Sequence, residues 1–518
     1  VGFGEGIVDG WVRVLGTQEE IEALVQAGFS LKDHRADHRA PAFFDGGIHS
    51  PEAMNDALAL LATAHPDQTR LFEIGESAGG RPVLALEMGA PEGSSWRLLG
   101  AHHGDELSSA ELMLEAARAL LDGQGDFAGL LEDRQVVVVP HVNPDGVAVG
   151  SRFNALGVDL NRNYSYRWSE NEYRPGAFPF SEPETRAVRA LSLQDSFLAG
   201  LSGHSGATNL GYVWNYSEAA TLDAELLESF GTRYLEACTQ EGFWLTNGAA
   251  WYTTRGDTND WSYGMLGILD YTLEVSLQKT PAQDLLEEAV ADHLPAIAAW
   301  LATPTPLIGQ TLDAESGQPI PALLEVLGAS PPFASDPVHG GFARVLEPGT
   351  WSIRAIAPGY QVFQLDLDLQ EDESFYLEVQ LVRQGLSRGP VEPRLLSMGQ
   401  ETVLLSLPES DPQPDRIRLV RPGVPTVELE REPGGYAVNP DSLVTGPYTV
   451  VAEEMAYPRA VFAGALSDRV QIQSVEIDGD TLHLSGRGFG LGSRVLGLWG
   501  LERSAHEIPV LSQSPDLL

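Results

Sequence analysis

A chain of 518 residues has room for about three or four domains and a sizeable core. Its formal charge of −41 at pH 7, from 73 acidic against 32 basic residues, repels phosphate backbones and anionic membranes and argues against nucleic-acid binding. No run approaches about 18 apolar residues, so no membrane span is expected, and the single cysteine, Cys238, excludes an internal disulfide. Only two of the basic residues, Lys32 and Lys279, are lysines. The sequence opens at Val1 with no signal-like segment. We expect a secreted or periplasmic protein from which such a segment has been removed, with a cytoplasmic one as the alternative.

Residues 1–40 carry a strand-like run at 11–15, then Thr17, which makes a capping box with Glu20 ahead of an apolar periodic stretch. This βα extension is too short to bury a core and is expected to pack on the larger domain after it. Ser50-Pro51 is an N-cap followed by proline at the first helical position, and predicts a helix to about Ala64. Strands near 71–74 and 83–88 flank Gly79-Gly80, a hairpin signal. The apolar run Leu98-Leu99-Gly100-Ala101 stops at His103-Gly104-Asp105-Glu106, and a helix over 108–121 comes after it. A His and a Glu separated by two residues can turn both side chains to one point, and both are common zinc ligands. Alone, such a pair in a surface turn is more often just solvated.

Its surroundings add to it. A strand at 135–139 runs into the turn cluster Pro140-His141-Val142-Asn143-Pro144-Asp145-Gly146, and Arg152 and Gly157-Val158-Asp159-Leu160-Asn161-Arg162-Asn163 come next. Then come a helix at 183–194, a strand at 197–202 leading to His204, and a helix at 219–240. The segment Asn247-Gly248-Ala249-Ala250-Trp251-Tyr252, a strand at 268–277 carrying Glu274, and a helix at 281–301 complete the series. This alternation predicts an α/β fold: a mixed, largely parallel central sheet with helices on both faces. The candidate ligands fall at strand ends, where open α/β sheets place their sites. Residues 301–306, with Pro304 and Pro306, read as a linker. Short strands are expected at 307–311, 321–327, 341–345, 350–355 and 375–382, so all-β sandwich domains should succeed the α/β region. The texture stays all-β beyond 390, including 475–490.

These motifs resemble the zinc metallocarboxypeptidases, with spacing like that of their regulatory branch. The pattern is HxxE, Asn-Pro-Asp-Gly, an Arg nine residues before an Asn-Arg pair, and then a lone His, here His204. Tyr252 and Glu274 match the family's mobile Tyr and catalytic Glu. The resemblance spans residues 41–302 and implies a zinc exopeptidase acting on peptide or protein C-termini. By that resemblance one Zn²⁺ per chain is held by His103, Glu106 and His204, leaving a fourth place for water. Glu274 is the implied general base and then acid, and Arg152 the group that stabilises the oxyanion. Asn161 and Arg162 are implied to hold the substrate's free carboxylate, and Tyr252 to close over it. Residues 305–385 resemble a transthyretin-like β-sandwich, and 390–518 one or two immunoglobulin-like modules. Residues 1–40 resemble a prosegment fragment, with a simple extension as the alternative. Secreted animal relatives usually carry disulfides, so one cysteine suits a bacterial protein.

The family's side-chain selectors match Asn215 and Asn259, both neutral amides, which implies a pocket for neutral C-terminal residues; Asp257 or Arg255 could restore a charge preference. His102 paired with Asp105 is the alternative ligand register. His141, beside the Asn-Pro-Asp-Gly turn, is either an outer support to the metal or an ordinary loop histidine. The rival functions are a catalytically silent binding or adhesion protein on the same scaffold, a cell-wall peptide hydrolase, and a remover of side-chain glutamates.

Overall fold

The computed structural model describes residues 48–304 except 91–93, 195–196 and 222, and much of 307–464 between short gaps. Of 1–47 and 465–518 it describes only the backbone of six strands. The capping box at Thr17 and Glu20 and the expected boundaries at 40–41, 305, 385 and 390 lie outside those residues. Contacts gather the chain into two compact units. The first comprises Val1–Ser192, Phe197–Thr305 and Ala343–Val345, and the second the remainder.

In the first unit, β1 (Gly2–Val8) and β2 (Trp11–Leu15) form an antiparallel pair. The main sheet has eight strands: β3 (Thr69–Glu76), β4 (Pro82–Gly89), β5 (Ser94–Leu99), β6 (Arg134–Val139), β7 (Phe197–His204), β8 (Asn209–Tyr212), β9 (Trp244–Asn247) and β10 (Leu269–Glu274). Their order is β3-β4-β6-β5-β7-β10-β8-β9. The central run β6-β5-β7-β10 is parallel, as is β8 with β9, while β3–β4, β4–β6 and β10–β8 are antiparallel. Strands β5, β6 and β7 are buried along their whole length, as a parallel sheet covered on both faces requires.

Two adjacent residues of β5 show that covering. Side chains alternate across a strand, so Trp96 and Arg97 point to opposite faces. Trp96 meets Phe230 on the helix Ala224–Ala237 and Trp300 on the helix Gln283–Leu301, with ring centroids 5.7 and 4.8 Å away. Arg97 meets Ser192 on the helix Pro183–Gln194, and its Nη2 donates to Ser262 Oγ at 2.7 Å and Asp270 Oδ2 at 2.8 Å. Among the described residues the expected strands and helices are present to within a few residues at their ends, the largest trim being the helix expected at 219–240, which runs Ala224–Ala237. Strands β8 and β9 were not expected. The turn at Pro144-Asp145-Gly146 is also tighter than read, forming a short helix, Pro144–Val149, capped by Asn143.

The second unit is β-rich. A parallel pair β11–β16 and a sheet of order β13-β12-β14-β15 are built from β11 (Leu307–Asp313), β12 (Leu323–Val326), β13 (Phe333–Ala334), β14 (Gly349–Ile356), β15 (Phe363–Leu369) and β16 (Phe375–Leu381). They share a core that includes Leu324, Ile353, Leu367 and Val379. A further seven-stranded sheet encloses Ile417, Leu419, Tyr436 and Val450. A small cluster of Leu323, Ile356, Val420, Val451 and Ala456 packs the sandwich onto it.

Arg97 and Asp270 are both 0% exposed, so each charge depends on the other. Removing one partner of such a pair leaves an uncompensated buried charge. Asp270→Ala should therefore destabilise the first unit by about 3–5 kcal/mol, read as a lower denaturation midpoint. A double change to apolar residues of similar volume should recover most of that loss; a double variant as unstable as the single one would show that packing, not charge, is the cause.

Candidate metal centre and catalytic cleft

The site begins where β5 ends. Val142 N donates to Gly100 O and Asn143 N to Ala101 O, each at 3.0 Å, which ties the loop after β5 to the loop after β6. Gly104 sits at their closest approach. A Cβ there would lie 2.0 Å from the Gly146 carbonyl carbon and 2.2 Å from Val147 N, so no other residue fits without moving backbone. Asn143 ties the same point from its side chain, accepting from Gly146 N at 2.9 Å and donating to His102 O at 3.2 Å. Glu106 occupies the N-cap of the helix Leu107–Asp122 but makes no capping hydrogen bond with its side chain. Its carboxylate turns to the imidazoles instead.

His103, Glu106 and His204 each offer one ligand atom, and the three atoms lie within 4.8 Å of one another. Nδ1 of His103 is 2.9 Å from Glu106 Oε1, and Nδ1 of His204 is 2.8 Å from Oε2. The two Nδ1 atoms are 3.2 Å apart. Two imidazoles and a carboxylate are a donor set that zinc accepts. The far nitrogen of His103, Nε2, is 3.0 Å from Asp159 Oδ1, which orients the ring with Nδ1 toward the cluster, as metal-binding histidines commonly require. All three ligands are buried. The residues fit a zinc ion.

Charges around the cluster are paired. Lys279 Nζ lies 2.6 Å from Glu106 Oε1, and Arg152 Nη1 lies 3.3 Å from the same oxygen. Burial raises the Glu106 carboxyl, but His103 and Lys279, with hydrogen bonds from His103 and His204, reverse that and hold it well below the usual carboxylate range. Burial also raises Asp159, and Arg152 and His103 more than offset it. Arg152 Nε donates to Asp159 Oδ2 at 2.9 Å, so one arginine spans both carboxylates.

The sheet register sets the remaining groups. In the parallel pair β7–β10, His204 stands beside Glu274, and in the antiparallel pair β10–β8, Glu274 stands opposite Asn209. A cavity beside them is lined by His103, His204, Glu274, Asn161, Arg162 and Tyr252, with Asn209, Asn215, Thr272 and Trp251 among its other walls. Asn161 Nδ2 lies 3.2 Å from His204 Nε2, and its Oδ1 accepts from Thr258 N and Oγ1 at 2.9 and 3.0 Å. Arg162 donates to Asn161 O at 2.8 Å and lies 3.6 Å from Glu172. Asn259 is not among the lining residues. Its Oδ1 accepts from Thr272 Oγ1 at 2.9 Å, and it braces the wall from behind.

His102 is not part of the cluster. Its Nε2 meets Tyr164 Oη and Thr258 Oγ1 at 2.9 and 3.0 Å, and burial drives its pKa well below the usual value, with His204 and His103 adding to the effect. His141 is buried, pushed down to about 3 by burial and by His49, and neither ring nitrogen has a hydrogen-bond partner among the described residues. It supports no ligand directly. Asp159, Lys279 and Asn209 were assigned no role from sequence. A signal existed for one: Lys279 is one of only two lysines in the chain.

Residues 54–296 match the sequence model of the zinc carboxypeptidases. The catalytic chain of carboxypeptidase N from Mus musculus is 28% identical over 399 residues, covering 65% of this chain and 87% of that protein. Carboxypeptidase SOL1 from Arabidopsis thaliana is 28% identical over 324 residues, covering 57% of this chain and 64% of that protein. The solved carboxypeptidase A from Helicoverpa armigera is 21% identical, with 57% of this chain and 83% of that one covered at a TM-score of 0.45.

Because Asp159 fixes the His103 ring, Asp159→Asn should weaken zinc binding about 10–100-fold, measured by competition with a chromophoric chelator. Unchanged affinity would mean that the ring is oriented by packing alone.

Proposed function

The chain belongs to the zinc carboxypeptidase family and is a metallocarboxypeptidase, and from that premise we propose how its residues divide the work on a peptide C-terminus. One zinc per chain would be held by His103, Glu106 and His204, supplying Lewis acidity and lowering the pKa of water. Glu274, at the end of β10 beside His204, takes the proton from the attacking water and delivers it to the leaving amine. Arg152, already poised between Glu106 and Asp159, donates to the oxygen on which negative charge builds. Arg162 pairs with the free carboxylate of the substrate, and that anchor makes the reaction an exopeptidase one. Asn161 joins it through Nδ2, which has two N–H groups and a single contact, with His204, among those described; its Oδ1 is held by Thr258. Tyr252, on the cavity wall, donates to the bound terminus.

The single observation that carries this reading is the cluster of three metal-donor atoms, two of whose residues, His103 and His204, line one cavity with Glu274 and Arg162. A silent binding scaffold has no need to keep all of them.

The side-chain pocket supports a neutral preference. Asn209, Gly211, Asn215, Thr254 and Thr272 line it and carry no charge. Asp257 is occupied elsewhere: Oδ1 accepts from Asn215 Nδ2 at 2.9 Å and Asp260 N at 3.0 Å, and Oδ2 from Thr254 Oγ1 at 2.8 Å. The Arg255 side chain is 47% exposed and lies 3.9 Å from Glu172. A charged terminal side chain would enter unpaired, at a cost of several kcal/mol.

Purified protein should contain zinc at one equivalent per chain, and a protein with none would sink the enzyme reading. Glu274→Gln should keep that zinc and lose at least ~10²-fold in kcat; undiminished turnover would remove Glu274 from the chemistry. A substrate blocked as its C-terminal amide should not be cut, because Arg162 loses the charge it pairs. In a matched peptide series neutral termini should exceed Lys, Arg, Asp and Glu in kcat/KM, and a basic preference above about tenfold would point to Asp257 as the selector.

A further inference from the structure

We propose that Asn209 reads the side chain of the departing C-terminal residue and selects a carboxamide, glutamine or asparagine. This rests on the carboxypeptidase reading above and names the substrate class of the same site. Asn209 opens β8 directly opposite Glu274 of β10, so the two side chains stand on the same face of the sheet. It lines the cavity with Gly211, Asn215 and Thr272. Its exposure is 0%, and among the described residues neither Oδ1 nor Nδ2 has a hydrogen-bond partner.

The neighbouring amides are different. Asn215 donates to Asp257, and Asn259 accepts from Thr272 while its Nδ2 lies 3.5 Å from Gly211 O and 3.4 Å from Asp270 O. Both are spent within the protein. Asn209 alone among the three has both ends uncommitted. Buried side-chain amides without partners are uncommon in native proteins, because their desolvation goes uncompensated. Here the amide faces a cavity whose occupant is a substrate side chain.

The chemistry of the amide picks the occupant. Oδ1 accepts and Nδ2 donates, so a second carboxamide satisfies both at once, its NH₂ giving to Oδ1 and its oxygen taking from Nδ2. An ammonium or guanidinium satisfies Oδ1 only, and a carboxylate Nδ2 only. An aliphatic side chain satisfies neither and leaves both ends stranded. A site built to hydrogen-bond a substrate group rejects the analogue lacking it far more strongly than an apolar pocket rejects a change of size. Gly211, two residues along the same face, places no side chain in the way. Since the amide is 0% exposed, an entering side chain meets it only when part of the cavity lining moves aside.

The test uses the full zinc-loaded chain and peptides that differ only in the last residue: glutamine, asparagine, leucine, lysine and glutamate. The expected kcat/KM for glutamine or asparagine exceeds that for leucine by about tenfold or more. In Asn209→Leu, close in shape but without either polar end, that ratio should fall to about one or below. Calorimetry with free glutamine and free leucine gives the same comparison without turnover, and glutamine should bind about tenfold tighter to the unsubstituted chain. Equal rates and affinities for the two in that chain overturn the proposal, even if Asn209→Leu fails to fold. So does a glutamine preference that survives Asn209→Leu. Hydrolysis of all neutral termini alike keeps the carboxypeptidase reading and sinks this one. Selective glutamine binding without hydrolysis of any peptide keeps this one and sinks the other.

Discussion

Asp159 is the carboxylate on which the site is built. One oxygen accepts from His103 and from Asn161 N, and the other from Arg152 Nε. A buried carboxylate survives ionised only when its desolvation is repaid by charge and hydrogen bonds, and Arg152 and His103 provide them. The consequence is geometric. A single side chain orients His103, Arg152 and the backbone entering Asn161-Arg162. Each needs the others, since Arg152 also reaches Glu106, and Glu106 meets both imidazoles.

The second constraint is register. A parallel strand and an antiparallel strand flank β10, and this places His204, Glu274 and Asn209 in one row across three strands. A slip of one residue in β10 would turn Glu274 to the opposite face. The buried pair of Arg97 and Asp270 opposes such a slip, because Asp270 belongs to β10 and Arg97 to β5, two strands away. The ion pair and Glu274 thus share a strand, and the pair helps to specify where Glu274 stands.

Much of this was legible in the sequence because its signals are local. HxxE, Asn-Pro-Asp-Gly and the apolar runs of β5, β6 and β7 announce themselves within a few residues. What was not legible depends on partners distant in the chain. Strand β8, Asn209-Leu210-Gly211-Tyr212, has an Asn and a Gly in four residues, a poor strand by propensity, and it exists because β10 and β9 pair with it on either side. Asn209 was therefore invisible as a pocket residue. Asn259 failed in the reverse way. Its position in the motif suggested a selector, but it lies in the short helix Thr258–Trp261 and its oxygen meets Thr272 from behind the wall. Sequence gives the residue type at such a place, not the direction of its side chain.

Composition and site come together at Lys279. The chain meets its need for positive charge almost entirely with arginine, yet one of its two lysines lies buried beside Glu106 and Asp105, 2.6 and 3.5 Å away. The loop that carries it is fastened by its own backbone, Lys279 O accepting from Leu107 N at 2.9 Å. A compact ammonium can approach one carboxylate oxygen end-on, whereas a guanidinium tends to bridge two in a plane. Bridging would engage both oxygens of Glu106, including Oε2, which faces His204. The ammonium shares Oε1 with His103 Nδ1 and Arg152 Nη1 and leaves Oε2 to His204, so the carboxylate is neutralised while each of its oxygens still meets an imidazole. In a protein of charge −41, the cations at this site are chosen for shape as much as for sign.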